Sequence, residues 1–287
     1  MKFELLSSLW LHEPDAALIA RAAELGLPAA EPLELAAAYA DVFLLNVPPY
    51  GTVFSDDSGE MNGPAAQDTA ALFAAHGYQP PELSEVGAAD HVGLMLGFLE
   101  EGRIGELEIG WMPVCCLAIK REPTAGKFYK ALAFKTQEAI FKLQTPNFKF
   151  QINSPIFQFS NSQSELSLRD LIRFFLTPAY CGLFLSRARL GQMALALGLR
   201  LPFGSRWEVA EWLFESAGEA GKVNELIGEL ENEVQAWAAE YRRWAENYPA
   251  WRPMAETWLA RTSAAQRQLT TMRLTVQADL PEGDCHL

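Results

Sequence analysis

The sequence of 287 residues is poor in cysteine and histidine, the side chains that most often form disulfides or bind transition metals. Two of its four cysteines, Cys115 and Cys116, are adjacent and lack the two-residue gap of a zinc or thioredoxin pair. Its four histidines lie far apart and have no ligand spacing. The composition therefore excludes a disulfide-rich secreted domain, and we predict neither a metal nor a cofactor.

Sequence motifs for catalysis are also missing. The chain has no glycine-rich phosphate loop of either familiar type, no H-E-x-x-H zinc motif and no G-x-S-x-G nucleophile elbow. The sequence therefore favours a protein that is not an enzyme.

No apolar run is long enough to cross a bilayer. The most apolar stretch, 171–185, contains Arg173 and Pro178 and is too short for a membrane span. The first residues lack the basic start and apolar core of a signal peptide. We expect a protein of the reducing cytoplasm without a membrane span.

Basic residues are scarce in the first part of the chain. Residues 1–110 contain 18 acidic and 3 basic side chains, a net charge of −15, whereas residues 111–287 have a net charge of +2. The total of −13 excludes a general nucleic-acid binder, because phosphate would be repelled. The acidic part either keeps the protein in solution or attracts a basic partner, and charge alone does not decide between these roles.

The patterns that are present indicate helices. Apolar residues recur at spacings of three and four, and capping or proline signals predict helices over 15–25, 32–45, 65–76 and 90–101. In the second of these, one apolar face contains Leu35, Tyr39, Val42 and Leu45. Residues 47–64 are predicted to form a long loop.

The clearest helix is predicted over 222–246, and a final helix over 250–269. The longer one has an apolar seam at Leu226, Leu230, Val234, Trp237, Tyr241 and Trp244. This seam either packs in the core or recognises a partner helix.

We predict an all-α helical bundle made of two helical halves. The N-terminal part spans 1–145, an irregular linker 146–165, the C-terminal part 166–274 and a flexible acidic tail 275–287. The Asn- and Ser-rich linker is also compatible with a short strand pair.

Two features in the acidic part suggest a site. One is the loop Val47-Pro48-Pro49-Tyr50-Gly51-Thr52-Val53-Phe54, and the other is Asp90-His91 before an apolar helix. Asp90 stands where an N-cap belongs, and the helix dipole favours a neutral His91 in the first turn. A purely structural role, with Asp90 as a cap and His91 partly exposed, remains open.

These features, in this order, resemble the redox-enzyme maturation chaperones of the TorD/DmsD/NarJ type. Trp111-Met112-Pro113 and Phe128-Tyr129-Lys130-Ala131-Leu132 are similar to the W-x-P and F-Y-x-x-L segments of that family. The resemblance covers about residues 35–143. Ala88 stands where the family usually has a proline two residues before the aspartate.

The resemblance implies a TorD/DmsD-like bundle and a cytoplasmic chaperone that is not an enzyme. Such a protein binds the apo catalytic subunit of a molybdopterin oxidoreductase, or its twin-arginine signal peptide, and assists cofactor insertion. The implied peptide- and client-binding residues are Pro48, Pro49, Tyr50, Phe54, Asp90 and His91. Chaperones of this kind are monomers or domain-swapped dimers, and the linker would be the hinge.

Two alternatives remain. One is a different helical adaptor that recognises a partner helix through the seam of 222–246. The other is an enzyme that uses His91 as a general base with Asp90 nearby, although adjacent side chains diverge along a helix turn.

Overall fold

The computed structural model describes residues 3–56, 61–102, 107–143, 167–200 and 202–278. These residues form α-helices and contain no strand, which confirms the all-α prediction. In the described ranges, every helix is too short or too polar to span a bilayer. The helices are Phe3–Leu11 (α1), Ala16–Ala22 (α2), Pro32–Tyr39 (α3), Gly51–Ser55 (α4), Pro64–Ala75 (α5), Leu83–Val86 (α6), Val92–Glu100 (α7), Met112–Arg121 (α8), Lys127–Phe141 (α9), Leu168–Leu176 (α10), Pro178–Cys181 (α11), Arg187–Ala196 (α12), Arg206–Glu219 (α13), Val223–Asn247 (α14) and Arg252–Ala278 (α15).

Local capping explains where several helices begin. The Asp15 carboxylate accepts a 2.7 Å hydrogen bond from the Leu18 amide, and α2 continues as a 3₁₀ turn to Leu25. Ser205 and Glu208 form a reciprocal capping box at the start of α13. The predicted helix over 15–25 is therefore confirmed.

The helix predicted over 32–45 changes its winding halfway. After α3, residues Ala40–Asn46 form a π-helix, which is wider than an α-helix and shifts the later side chains around the axis. Leu44 and Leu45 are consequently 67% and 54% exposed. Leu45 therefore does not share the buried side of Leu35 and Val42, because the predicted apolar face assumed an α-helical period throughout.

The long loop predicted over 47–64 contains a short helix, α4. Its five residues are too few to form a stable helix alone. Four of them are buried, so tertiary packing rather than local propensity stabilises α4.

The predicted helix over 222–246 is confirmed as α14, which lies along α15. All six residues of its apolar seam are buried, and Trp237 and Trp244 are 1% and 2% exposed. The seam therefore packs in the core, which counts against an adaptor that uses it to recognise a helix. The final helix is longer than predicted and continues to Ala278, so it includes the first residues of the predicted tail.

The two predicted halves contribute to one apolar cluster. The Trp258 indole, in the second half, donates a 3.3 Å hydrogen bond to the Gly110 carbonyl, in the first. The linker 146–165 and residues 279–287 of the tail lie outside the described residues. The division into halves and the domain-swapped dimer thus stay predictions.

Candidate functional site

The backbone brings the two predicted features together. The Gly51 amide donates a 3.0 Å hydrogen bond to the Asp90 carbonyl, and the Val92 amide donates a 2.9 Å bond to the Pro49 carbonyl. These bonds place Tyr50 opposite His91 in an isolated antiparallel bridge. We call this junction of the Pro48–Phe54 segment with the start of α7 the PPY–DH site.

Asp90 connects the two features with its side chain. The carboxylate is 1% exposed, and Oδ2 accepts a 2.6 Å hydrogen bond from the Thr52 amide at the start of α4. Oδ1 has no hydrogen-bond partner in the described ranges. Burial raises the pKa of Asp90, and the bond from Thr52 opposes that shift.

The predicted N-cap is displaced by one residue. His91, rather than Asp90, caps α7, because its Nδ1 accepts a 3.1 Å hydrogen bond from the Gly93 amide. This bond requires an unprotonated Nδ1, so the neutral ring has its hydrogen on Nε2. His91 is 2% exposed rather than partly exposed, and burial lowers its pKa to about 3.

This geometry does not support a general base at His91. The Asp90 carboxylate is bonded to Thr52 and not to the imidazole, and Nδ1 is used as a cap. A buried imidazole with a pKa near 3 is also poorly matched to proton transfer at neutral pH.

Tyr50 forms the half-buried face of the site. Its hydroxyl donates a 2.8 Å hydrogen bond to the Val86 carbonyl, and its ring lies edge-on to His91 at 5.0 Å between centroids. Burial, with the Asp90 charge nearby, raises the pKa of Tyr50.

Burial and then the neighbouring Tyr50 and Glu13 raise the pKa of Tyr39 to about 12. Tyr39 is thus within electrostatic range of both Tyr50 and the exposed Glu13.

Phe54 faces the core. It is fully buried and stacks on Trp111 at 6.0 Å between centroids, and its ring lies 5.2 Å from Phe184. Trp111 also explains why residue 51, at the start of α4, is a glycine, since a Cβ at Gly51 would lie 2.9 Å from the indole. Trp111, the tryptophan of the W-x-P segment, therefore packs against α4 on its buried side.

The tyrosine of the F-Y-x-x-L segment has a similar supporting role. The Tyr129 hydroxyl donates a 3.0 Å hydrogen bond to the Leu35 carbonyl, and its ring contacts Phe43 edge-on at 5.1 Å. These contacts hold α3 and the π-helix that leads into the PPY–DH site.

The six predicted site residues thus divide by exposure. Pro48 and Tyr50 are partly exposed, whereas Pro49, Phe54, Asp90 and His91 are buried. Sequence reasoning missed Thr52, whose amide binds Asp90, because a backbone donor leaves no residue-type signal. It also missed the packing role of Gly51, although a glycine directly after Tyr50 and at the start of a short helix was the available signal.

A family model described as nitrate reductase delta subunit matches residues 12–108, about a third of the chain. The match contains both parts of the PPY–DH site. It confirms the resemblance to the redox-enzyme maturation chaperones and supports a molybdoenzyme maturation chaperone in general. No curated protein and no solved structure matches the chain.

Proposed function

We propose that this protein is a cytoplasmic chaperone, not an enzyme, that binds the apo catalytic subunit of a molybdopterin oxidoreductase. It binds that subunit, or its twin-arginine signal peptide, at the PPY–DH site and assists cofactor insertion. The observation that supports this most strongly is the family match over 12–108, which contains both halves of a site whose parts are hydrogen-bonded to each other.

The charge of this part of the chain fits such a partner. A signal peptide has a basic start followed by an apolar stretch, and residues 1–110 have a net charge of −15. A field of this sign accelerates encounter with a basic segment and weakens as salt rises. Glu13 and Tyr50 each act electrostatically on Tyr39, so we expect a guanidinium that binds beside these tyrosines to be attracted by Glu13.

The burial pattern separates contact from support within the site. Pro48 and Tyr50 present the surface that a client touches, together with the exposed Leu44 and Leu45 just before them. Asp90 and His91 position this surface through the Thr52 and Gly93 amides. Their removal therefore acts on binding through the shape of the loop.

A synthetic peptide with two adjacent arginines and a following apolar stretch tests the proposal. We expect Glu13→Lys to weaken binding about threefold to tenfold and to flatten the salt dependence, since a rim charge acts mainly on encounter. Glu219→Lys, an equally exposed change on α13, should leave binding unchanged.

Tyr50→Ala tests the aromatic contact in the same assay. We expect a loss of about tenfold or more, as for a central aromatic anchor, while Tyr50→Phe retains most of the affinity. Undiminished binding by a folded Tyr50→Ala variant would remove the PPY–DH site from the proposal.

A further inference from the structure

The outward side of α9 is a surface rich in lysine. The opposite side of this helix packs in the core, and Lys120 of α8 lies next to the outward side, with its Nζ 5.7 Å from the centre of the Phe134 ring. The exposed and half-exposed residues of α9 and its C-cap recur three or four positions apart, as expected for one face of a helix. They are Lys127, Lys130, Ala131, Phe134, Lys135, Glu138 and Lys142. We call these residues, with Lys120, the lysine patch.

The lysine patch concentrates positive charge in a chain that is otherwise acidic. Five of the eight lysines of the sequence belong to it and lie within residues 120–142. This range contains six basic and two acidic side chains, a net charge of +4, whereas the whole chain has a net charge of −13. The acidic charge already favours solubility, so solubility does not explain a cluster of the opposite sign.

Two of these lysines occupy the end of α9 that disfavours cations. Lys127 is the first residue of the helix and Lys130 the fourth, and the first turn contains no acidic side chain. The amino end of a helix has a partial positive charge, so cations there destabilise it. Neither lysine forms a compensating ion pair with any residue that the structure describes. A local rule that is broken without compensation in the fold indicates a functional constraint.

Phe134 gives the lysine patch an apolar centre. It is 46% exposed, and the ammonium groups of Lys120 and Lys135 each lie 5.7 Å from its ring centre, within the range of a cation–π contact. Lys120 donates a 3.0 Å hydrogen bond to Gln137, and Lys135 a 3.3 Å bond to Glu138, so both lysines are held beside the ring. An aromatic side chain within a rim of charges is typical of a protein–protein interface, in which the ring is the anchor and the charges steer the partner.

We propose that the lysine patch binds an acidic segment of a partner protein, with an apolar side chain among its carboxylates. The lysines attract and orient the carboxylates, and the apolar side chain contacts Phe134. From Lys127 to Lys142 the patch is about 22 Å long, which matches an extended segment of about seven residues. The proposal uses side chains other than those of the PPY–DH site and does not rest on the proposed function.

An extended polyanion, such as an anionic membrane or a nucleic acid, fits the lysine patch less well. The acidic part of the chain adjoins α9, because α1 packs against this helix and the Tyr129 hydroxyl binds the Leu35 carbonyl of α3. A wide anionic surface placed on α9 would therefore approach that acidic part as well. A segment of a few residues covers only the patch, and charges farther away than about 8 Å are screened at physiological salt.

A labelled synthetic peptide with six glutamates around two central leucines tests this proposal by fluorescence polarisation with the full chain. We expect a dissociation constant of about 10–500 µM at low salt that rises as salt is added. The same peptide with glutamines in place of the glutamates should bind at least about tenfold more weakly. Absence of binding at about 1 mM protein overturns the proposal.

A double variant, Lys127→Glu with Lys130→Glu, separates binding from folding. It removes two cations from the lysine patch and places acidic side chains at the end of α9 where the helix dipole stabilises them. We expect an unchanged or higher melting temperature, and peptide binding weakened at least about tenfold. Arg169→Glu with Arg267→Glu makes the same change of charge at exposed positions of α10 and α15, and it should bind the peptide within about threefold of the unmodified protein. Equal binding by the two double variants would overturn the assignment of the site.

Phe134→Ala tests the apolar centre in the same assay. We expect it to weaken binding about fivefold to tenfold, and unchanged binding would overturn the contact of the peptide with the ring.

Two other occupants are tested directly with phosphatidylglycerol vesicles and by analytical ultracentrifugation at low salt. Vesicle binding without peptide binding would assign the lysine patch to a membrane surface. Self-association that Lys127→Glu with Lys130→Glu abolishes would assign it to a second copy of this chain. Either result overturns the proposal.

Discussion

The two parts of the molecule bury a carboxylate in opposite ways. Asp90, in the acidic part, accepts from one backbone amide, and its other oxygen has no hydrogen-bond partner in the residues described. Glu233, in the second part, accepts from two arginines. The comparison shows that the PPY–DH site is assembled by backbone contacts, whereas α8, α12 and α14 are joined around Glu233 by ion pairs with Arg121 and Arg189.

The distribution of charge along the chain explains why the two buried carboxylates are bonded differently. Only three basic residues occur in 1–110, so that part has almost no cations to pair with a buried carboxylate. Its acidic charge is left to act on the surroundings as a negative field. Residues 111–287 contain 20 basic and 18 acidic side chains, so their formal charges nearly balance.

Replacing each carboxylate with its amide tests the comparison. We expect Glu233→Gln to have the largest effect on the free energy of unfolding. The arginines bind different oxygens of Glu233, so the amide can accept from only one of them, and its NH₂ group faces an N–H of the other. The change also removes the negative charge shared by the two guanidinium groups, although Arg189 keeps Glu229 at 3.7 Å. We expect the free energy of unfolding to fall by about 2–3 kcal/mol, since the arginines remain partly exposed. Urea denaturation measures this, and a loss below about 0.5 kcal/mol would show that the ion pairs contribute little.

Gly51→Ala tests the backbone contacts of the PPY–DH site. The added Cβ would lie 2.9 Å from the Trp111 indole, so α4 or the tryptophan has to move. We expect a loss of about 1–3 kcal/mol in thermal or urea unfolding. Gly228→Ala is the matched control, because nothing lies within 4 Å of a Cβ there. In the interior of α14 it should stabilise the protein by about 0.5–1 kcal/mol.

Glu108→Gln measures how much a buried, ionised carboxylate in the acidic part of the chain destabilises the fold. Burial and then Asp56 raise the pKa of Glu108 from 4.5 to about 7, although Arg261 opposes the shift. The folded state therefore holds this proton more tightly than the unfolded state does, so its stabilising contribution is present below pH 4.5 and is lost as pH rises through about 7.

Removing this carboxyl should remove that pH dependence. Between pH 5 and pH 8 the unmodified protein should lose about 1–2 kcal/mol relative to the Glu108→Gln variant. Glu219→Gln, at an exposed position, serves as the control. Parallel stability curves for the unmodified protein and Glu108→Gln would contradict the assigned pKa shift.

Asp90→Asn should have the smallest effect. An amide oxygen still accepts from the Thr52 amide, and no cation loses a partner. We expect a change within about 1 kcal/mol at neutral pH. Because burial raises the pKa of Asp90, the folded state favours its protonated form, and the variant should gain stability relative to the unmodified protein as pH rises above 3.8. A large loss at neutral pH would mean that the charge of Asp90 is needed.

The spacing of apolar residues and the capping residues at helix ends predicted most of the helices. The seam of α14 and the Asp15 start of α2 follow from apolar spacing and capping residues, which are local properties of the chain. The π-helix and α4 could not be predicted in this way. They depend on contacts with distant residues, such as the Ala188 amide that binds Asn46 and the indole of Trp111 against Gly51.

The candidate site shows the same limit. Its residues were predicted through a family resemblance, and the structure brings Tyr50 and His91 together. Which of them a client can touch depends on burial in three dimensions. That is why Asp90 and His91, the most distinctive pair in the sequence, now have a positioning role in the proposal.

In the proposed function, the PPY–DH surface binds a molybdopterin-enzyme subunit. Affinity purification from the native host, with quantitative mass spectrometry, tests it most directly when unmodified protein, Tyr50→Ala and Tyr50→Phe are compared at rising salt. We expect one large molybdopterin-enzyme subunit to be recovered with the unmodified protein and with Tyr50→Phe, to be depleted with Tyr50→Ala, and to dissociate as salt rises. Recovery of no such subunit, or equal recovery with a folded Tyr50→Ala variant, would contradict it.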